Sequence, residues 1–292
     1  MNRSEREGVI LKKYSGFYYV QQDAKIYECK LRGKIKEQVL TGDKVAISVL
    51  DDDRGIIEKV FPRRNELIRP KIANVSLVLI VMCNNKPAPS LNLLDRILFL
   101  ACYNGIKPYI ILNKNDLAPD PKAVLIKNYY PYAGFNFLET SVIKNTGIQE
   151  LKEIIKGEIA VFAGPSGGGK SSLLNLITDG VEAKTGEVSS KIGRGRHTTR
   201  HVELYPLSSG GFIADTPGFS VLNMPDITKN EFPRYFPDFA DFAEECRFPN
   251  CLHWKEKECG VKEAVKQGAI AEFRYKNYLT MLEEVAKNER CY

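Results

Sequence analysis

The chain has no uninterrupted apolar run long enough to cross a bilayer, which excludes a membrane-spanning helix as its organising element. Its opening residues, Met1-Asn2-Arg3-Ser4-Glu5-Arg6-Glu7, carry no apolar signal region, so a cytoplasmic protein with no membrane partner is expected. Internal repeats and low-complexity tracts are absent as well. Cysteine is present in an odd number, seven, and three of them fall between Cys246 and Cys259. That distribution speaks against a disulfide framework and for a reduced compartment with a metal site.

What is present is ordinary in bulk and informative in detail. At 292 residues, with 43% hydrophobic and 27% charged residues, the chain is long enough for two or three folding units, each with its own core. A net charge of +6 permits a nucleic-acid partner without demanding one. The charge is unevenly placed: Lys184, Lys191, Arg194, Arg196 and Arg200 face a single acid, Glu187, between Lys184 and His201. The segment from 226 to 292 mixes both signs and is no simple cationic patch.

Three segments differ in pattern. Residues 1–66 alternate short β-type runs with turns: Gly8 to Leu11, Phe17 to Val20, Ile26 to Cys29, Val45 to Val49 and Ile56 to Val60. Five such strands predict a small all-β barrel of the oligonucleotide-binding type, with Arg32-Gly33-Lys34-Ile35-Lys36 as a basic loop and exposed aromatics available to stack on bases. The alternative is a small β domain whose Tyr and Phe residues are merely core. Residues 67–225 alternate strands with helices, the pattern of an α/β parallel sheet: Val75 to Val81, a helix from Leu91 to Tyr103, Pro108 to Leu112, a helix from Gly147 to Ile155, and Gly211 to Ala214. Residues 226–292 are helical and cysteine-bearing, ending in a helix from about Glu272 to Asn288.

The second segment carries the chemistry. Gly164-Pro165-Ser166-Gly167-Gly168-Gly169-Lys170-Ser171 is a complete GxxxxGK[ST] loop, preceded by the apolar run Ile159 to Ala163 and followed, after Ser172, by Leu173-Leu174-Asn175-Leu176-Ile177. In that setting backbone N–H groups and a helix N-terminus converge on phosphate, Lys170 reaches the β- and γ-phosphates, and Ser171 offers a hydroxyl to Mg²⁺. Asn113-Lys114-Asn115-Asp116 follows a strand at the carboxyl edge of the sheet. There the Asp116 carboxylate can accept both N1–H and the exocyclic amine of guanine, which adenine lacks. Asn113 is expected to tie this loop to the phosphate loop, and the stem of Lys114 to cover the base. Ser141 and Val142, at a strand end after Thr140, could supply backbone N–H groups to guanine O6. Asp215-Thr216-Pro217-Gly218 places an acid where it can hold Mg²⁺ through water, with the Gly218 N–H near the γ-phosphate.

The set resembles the GTPase motifs in circularly permuted order, the base-reading loop preceding the phosphate loop. With an N-terminal barrel and a C-terminal Cys/His module, the whole chain resembles the ribosome small-subunit-dependent GTPase A family. The resemblance implies a P-loop GTPase core between an RNA-binding barrel and a mostly α zinc-binding module. It further implies late maturation of the small ribosomal subunit as the task, with GTP, GDP, the subunit and its ribosomal RNA as partners and GTP hydrolysis driving release. A monomer is expected.

Many GTPases orient the attacking water with a Gln just after the DxxG glycine; this chain has Phe219 there, which cannot hydrogen-bond to water. In the resembling family a switch His has that role, and the matching position is His197, with His201 as an adjacent candidate. Thr198 or Thr199, not separated by the sequence, is the threonine expected to close on Mg²⁺ and the γ-phosphate. Gly167 stands where potassium-activated relatives carry Asn, so no potassium requirement is expected. Cys246, Cys251, His253 and Cys259 form C-x₄-C-x-H-x₅-C. Three thiolates and one imidazole fill a tetrahedral shell, which predicts a structural zinc. The competing readings are an RNA-binding scaffold with a nucleotide-dependent switch and incidental hydrolysis, and an ATPase or nucleotide kinase, which the Asn-Lys-Asn-Asp loop opposes.

Overall fold

A computed structural model describes residues 6–68, 71–178, 202–215 and 223–289. Five strands, β1 (Arg6–Tyr14), β2 (Phe17–Gln22), β3 (Lys25–Leu31), β4 (Lys44–Val49) and β5 (Arg54–Val60), close into a barrel in the order β1-β2-β3-β5-β4. Closure comes from antiparallel pairing of β1 with β4 and parallel pairing of β3 with β5. Alternation along the strands sends Ile10, Val20, Cys29, Val45, Ile47 and Ile57 inward. The aromatics divide between the two readings the sequence allowed. Tyr18 and Tyr27 are core residues, whereas Tyr14 is exposed and Phe17 and Tyr19 are half-buried. Lys30 lies over the Phe17 ring at 5.2 Å and Lys12 over the Tyr19 ring at 5.4 Å.

A short hairpin of β6 (Glu66–Ile68) and β7 (Lys71–Ala73) leads out of the barrel. Ahead of it, Arg63 donates to both carboxylate oxygens of the fully buried Asp43, at 2.7 and 2.9 Å.

The α/β part comprises β8 (Leu77–Cys83), α1 (Leu91–Tyr103), β9 (Lys107–Asn113), α2 (Pro121–Tyr129), β10 (Asn136–Glu139), α3 (Ile148–Ile155), β11 (Ile159–Ala163), α4 (Lys170–Ile177), β12 (Glu203–Pro206) and β13 (Phe212–Asp215). The strand order is β10-β9-β8-β11-β13-β12. β9 runs parallel to β10 and β11 to β13; β12 is antiparallel to β13. Every residue of β8 and β11 is buried, as expected of strands covered on both faces. α1 occupies the predicted residues. Ser90 caps it by accepting from the Leu93 N–H, and it buries Leu94, Ile97, Leu98 and Phe99, each contributing about 1.5–3 kcal/mol of transfer free energy.

The C-terminal segment has two 3-10 turns (Phe232–Tyr235 and Pro237–Phe239), then α5 (Ala240–Ala243), α6 (Gly260–Lys266) and α7 (Glu272–Glu289). By contact clustering the chain forms two compact units. One holds the barrel, the hairpin, α3, β11, α4, β12 and β13. The other holds β8 from Leu79 onward, α1, β9, α2, β10, the phosphate loop Gly164–Gly169 and the C-terminal segment. Within the second unit Phe99 of α1 packs on Phe232 and Phe236, and Tyr278 of α7 packs on Phe232, Phe236 and Phe239.

Arg274 of α7 is buried among these rings. Its guanidinium reaches Asp95 of α1 at 2.8 Å and takes both oxygens of Asp238 at 2.8 Å. Tyr130 and Asn277 also donate to Asp95, and Tyr129 to Asp238, so the second carboxylate oxygens are used as well. Such satisfaction is what makes a buried charge cluster tolerable.

Candidate functional site

β9 delivers Asn113 to the carboxyl edge of the sheet, where it is fully buried. Its Nδ2 donates to Gly168 O at 3.0 Å, and its Oδ1 accepts from the Thr140 hydroxyl at 3.0 Å. One amide thus holds the phosphate loop on one side and the end of β10 on the other. Lys114 adopts φ 62°, and its Nζ donates to Gly167 O at 2.9 Å. The tetrapeptide and the phosphate loop, joined by bonds that span 55 and 53 residues of sequence, are therefore neighbours.

Asp116 is half-buried and accepts from the Ser141 hydroxyl at 2.6 Å. That hydrogen bond holds its carboxyl below the usual carboxylate range. Ser141 is fixed in turn: its Oγ accepts from Lys144 N, and its backbone pairs both ways with Thr146. Val142 follows, half-buried. The arrangement presents an ionised acceptor at a pre-set position beside the phosphate loop.

The loop's glycines are forced by geometry. Gly164 has φ 121°, and a Cβ there would stand 2.2 Å from Val81 O. Gly169 has φ 92°, and a Cβ would stand 2.3 Å from Asn113 Nδ2. Gly168 N donates to Pro165 O at 3.3 Å, and Ser166 and Gly167 are exposed. Lys170 then opens α4, with Ser171 and Ser172 in its first turn. Asp215 closes β13, opposite Glu203 of β12. His197, Thr198, Thr199, His201, Gly218 and Phe219 lie outside the described residues.

In the C-terminal segment the donor atoms of Cys246, Cys251, His253 and Cys259 lie within 4.8 Å of one another. Cys246 Sγ is 3.8 Å from Cys259 Sγ, and His253 Nδ1 is 3.5 and 3.4 Å from those sulfurs. Tetrahedral bonding at zinc–sulfur and zinc–nitrogen lengths of about 2.3 and 2.0 Å requires S···S near ~3.8 Å and S···N near ~3.5 Å. The donor set and its spacing fit a metal ion. Burial pushes the His253 imidazole down to about 4, keeping it in the neutral form that ligates, and pushes the Cys251 thiol up to about 12, a bias a bound cation would reverse. The loop is set by groups the sequence did not single out. The Tyr275 hydroxyl donates to His253 O at 2.6 Å, the Tyr278 hydroxyl to Leu252 O at 2.7 Å, and Glu256 accepts from Leu252 N and Trp254 N.

A family model described as RsgA GTPase matches residues 60–225, and one described as RsgA N-terminal domain matches residues 7–57. The chain belongs to the RsgA GTPase family. RsgA relatives named small ribosomal subunit biogenesis GTPase include those of Carboxydothermus hydrogenoformans, 48% identical over 97% of this chain and 99% of the relative, and Moorella thermoacetica, 47% identical over 98% and 99%. Among solved structures, YloQ, described as a circularly permuted GTPase, superposes with a TM-score of 0.84 at 36% identity, covering 98% of this chain and 97% of that one. YjeQ from Thermotoga maritima gives 0.82 at 35% identity, covering 97% and 99%. The RsgA fold with its permuted GTPase core is therefore established for this chain.

Proposed function

We propose that the chain is a GTPase acting in small ribosomal subunit maturation, converting GTP to GDP and phosphate. The observation that carries the reading is the direct hydrogen bonding of Asn113 and Lys114 to Gly168 and Gly167, which lets one nucleotide span a base-reading loop and a phosphate loop. In this reading Asp116 accepts from guanine N1–H and the exocyclic amine, Lys114 covers the base, and Ser141 and Val142 border O6. The backbone of Gly164 to Ser172 and the Lys170 ammonium hold the phosphates. Ser171 and Asp215 are the residues that would hold magnesium, which supplies charge neutralisation at the phosphates. His197 orients the attacking water, and Thr198 or Thr199 closes over the γ-phosphate side. Catalysis is then mostly positioning and charge stabilisation of in-line attack.

The lysine–aromatic pairs on the barrel support ribosomal RNA as the partner of residues 1–66. The end of the GTPase family match at 225 supports residues 226–292 as a separate module, and the gap between the two matches, at 57–60, falls a few residues before the boundary at 66 that this reading takes. The sulfur and nitrogen spacing in that module supports one structural zinc ion rather than a catalytic one. No helix among the described residues is long and apolar enough to cross a membrane. The small ribosomal subunit as partner supports a cytoplasmic location, where the protein acts as a monomer that cycles on and off the subunit.

The test is GTP turnover titrated with purified small subunits, with His197→Ala alongside. Stimulation in the parent and none in the variant is expected. Equal rates with and without subunits would favour the scaffold reading.

A further inference from the structure

Asn84 follows the last residue of β8 and sits at the same sheet edge as the end of β9, outside every GTPase motif. It is bonded three times to the segment from Asn113 to Asp120, which contains the base-reading loop. Its N–H donates to Asn113 O at 2.7 Å, its C=O accepts from Asp120 N at 2.8 Å, and its side-chain Nδ2 donates to Leu117 O at 2.6 Å. Asn85 adds a fourth bond, from Nδ2 to Ala118 O at 3.0 Å, while its Oδ1 accepts from Lys86 N. Asp116 lies between the points so held, one residue before Leu117.

The Asn84 side chain is buried, and its Oδ1 has no hydrogen-bond partner among the described residues. A buried acceptor left unpaired is costly, so an apolar residue would suit a position serving packing alone. What the amide supplies instead is the single bond to Leu117 O. Its orientation is fixed by that bond, because a carbonyl can be met only by the NH₂ side of the amide.

We propose that Asn84, assisted by Asn85, is a positioning residue for guanine recognition: it fixes the stretch after Asp116 so that the carboxylate meets the N1–H and the exocyclic amine together. This rests on the guanine-nucleotide reading given above. Recognition by two simultaneous hydrogen bonds is sensitive to small displacements, whereas contacts to phosphate are shared by every nucleotide.

The experiment measures the affinities of the full chain for GDP, IDP and ADP, together with the unfolding temperature, for the parent, Asn84→Ala, Asn84→Ser and Asn85→Ala. IDP differs from GDP only by lacking the exocyclic amine. The parent should prefer GDP over IDP and reject ADP. Asn84→Ala and Asn84→Ser should weaken GDP about tenfold and IDP much less, compressing the GDP-to-IDP ratio. Asn85→Ala should move it the same way by a smaller factor. An unchanged ratio in the variants that fold, whatever their unfolding temperature, would overturn the proposal and leave Asn84 a structural residue. A parent that binds ADP as well as GDP would instead remove the guanine reading itself.

Discussion

Asn113 Nδ2 lies 3.0 Å from Gly168 O, so the residue that ends β9 also fixes the phosphate loop. Asn113→Ala frees Gly168 O and strips the Thr140 hydroxyl of its acceptor in a buried setting. Losing one such bond costs about 1–3 kcal/mol, which corresponds to roughly 5- to 150-fold in nucleotide affinity. Titration with a fluorescent GDP analogue measures it. Gly169→Ala should behave similarly, because its Cβ would displace the same amide.

Asp116→Asn replaces an acceptor with an amide that presents a donor. Guanine offers donors at N1 and at the exocyclic amine, so its binding should fall by at least about 100-fold. Xanthine carries a carbonyl at the position of that amine and should gain correspondingly. Competition between GDP and XDP on the same variant decides it, and an unchanged preference for GDP would place base recognition elsewhere.

Ser141→Ala removes the hydroxyl that holds the Asp116 carboxyl below its ordinary range. A depressed value means that the ionised form, and with it guanine binding, persists as pH falls until the lowered pKa is crossed. In the variant that pKa rises toward the ordinary carboxylate value. The acid limb of a GDP-affinity profile should therefore move to higher pH, with little change near neutrality. Coincident profiles for parent and variant would mean that the hydroxyl does not tune this carboxylate.

The fold and the site were legible in the sequence to different degrees, for physical reasons. α1 could be placed to the residue because its apolar positions follow the helical period behind a serine cap. β8 starts two residues later than its apolar run suggests, since Val75 is buried in the irregular segment before it and a continuous run does not mark its own edge. α2 was not foreseen because Val124 and Leu125 point outward, which blurs its periodicity, and β12 because four residues ending in proline give almost no signal. In the site, motifs singled out Asn113, Asp116, the phosphate loop and the Cys/His set, because the chemistries they suggest require fixed residue types at fixed spacing; the structure joins Asn113 to the phosphate loop and gathers the Cys/His donors. Nothing local marks Asn84, or the tyrosines of α7 that bond to Leu252 and His253, since their partners become neighbours only on folding.

Removing metal should loosen the C-terminal segment first. Chelation, or Cys259→Ser, leaves thiols and an imidazole packed within 4.8 Å with no cation among them. Metal content by elemental analysis should fall from one ion per chain, and the unfolding temperature should drop by roughly 5 °C or more. Protease cutting between Cys246 and Cys259 should accelerate. A chelated protein with unchanged melting and cutting would show that the cluster holds its shape without metal.

Arg274 offers a separate test of how the same segment is held to α1. Arg274→Ala leaves Asp95 and Asp238 buried, charged and facing each other without their shared cation. Breaking such a cluster costs about 3–5 kcal/mol, against a much smaller loss when all its members are replaced by neutral groups of similar shape. Chemical denaturation should thus rank the single variant well below a triple variant combining Arg274→Met, Asp95→Asn and Asp238→Asn. At Asp95 burial, with the nearby Asp238 charge, outweighs the lowering by Arg274, Tyr130 and Asn277 and drives the carboxyl upward, whereas at Asp238 the burial effect is outweighed by the two-pronged contact with Arg274, so that carboxyl is held down. The stability that Asp238 contributes is therefore present above the ordinary carboxylate pKa and lost as pH falls through its lowered value. Arg274→Ala should abolish that dependence, and a variant with the parent's acid sensitivity would contradict this account of the cluster.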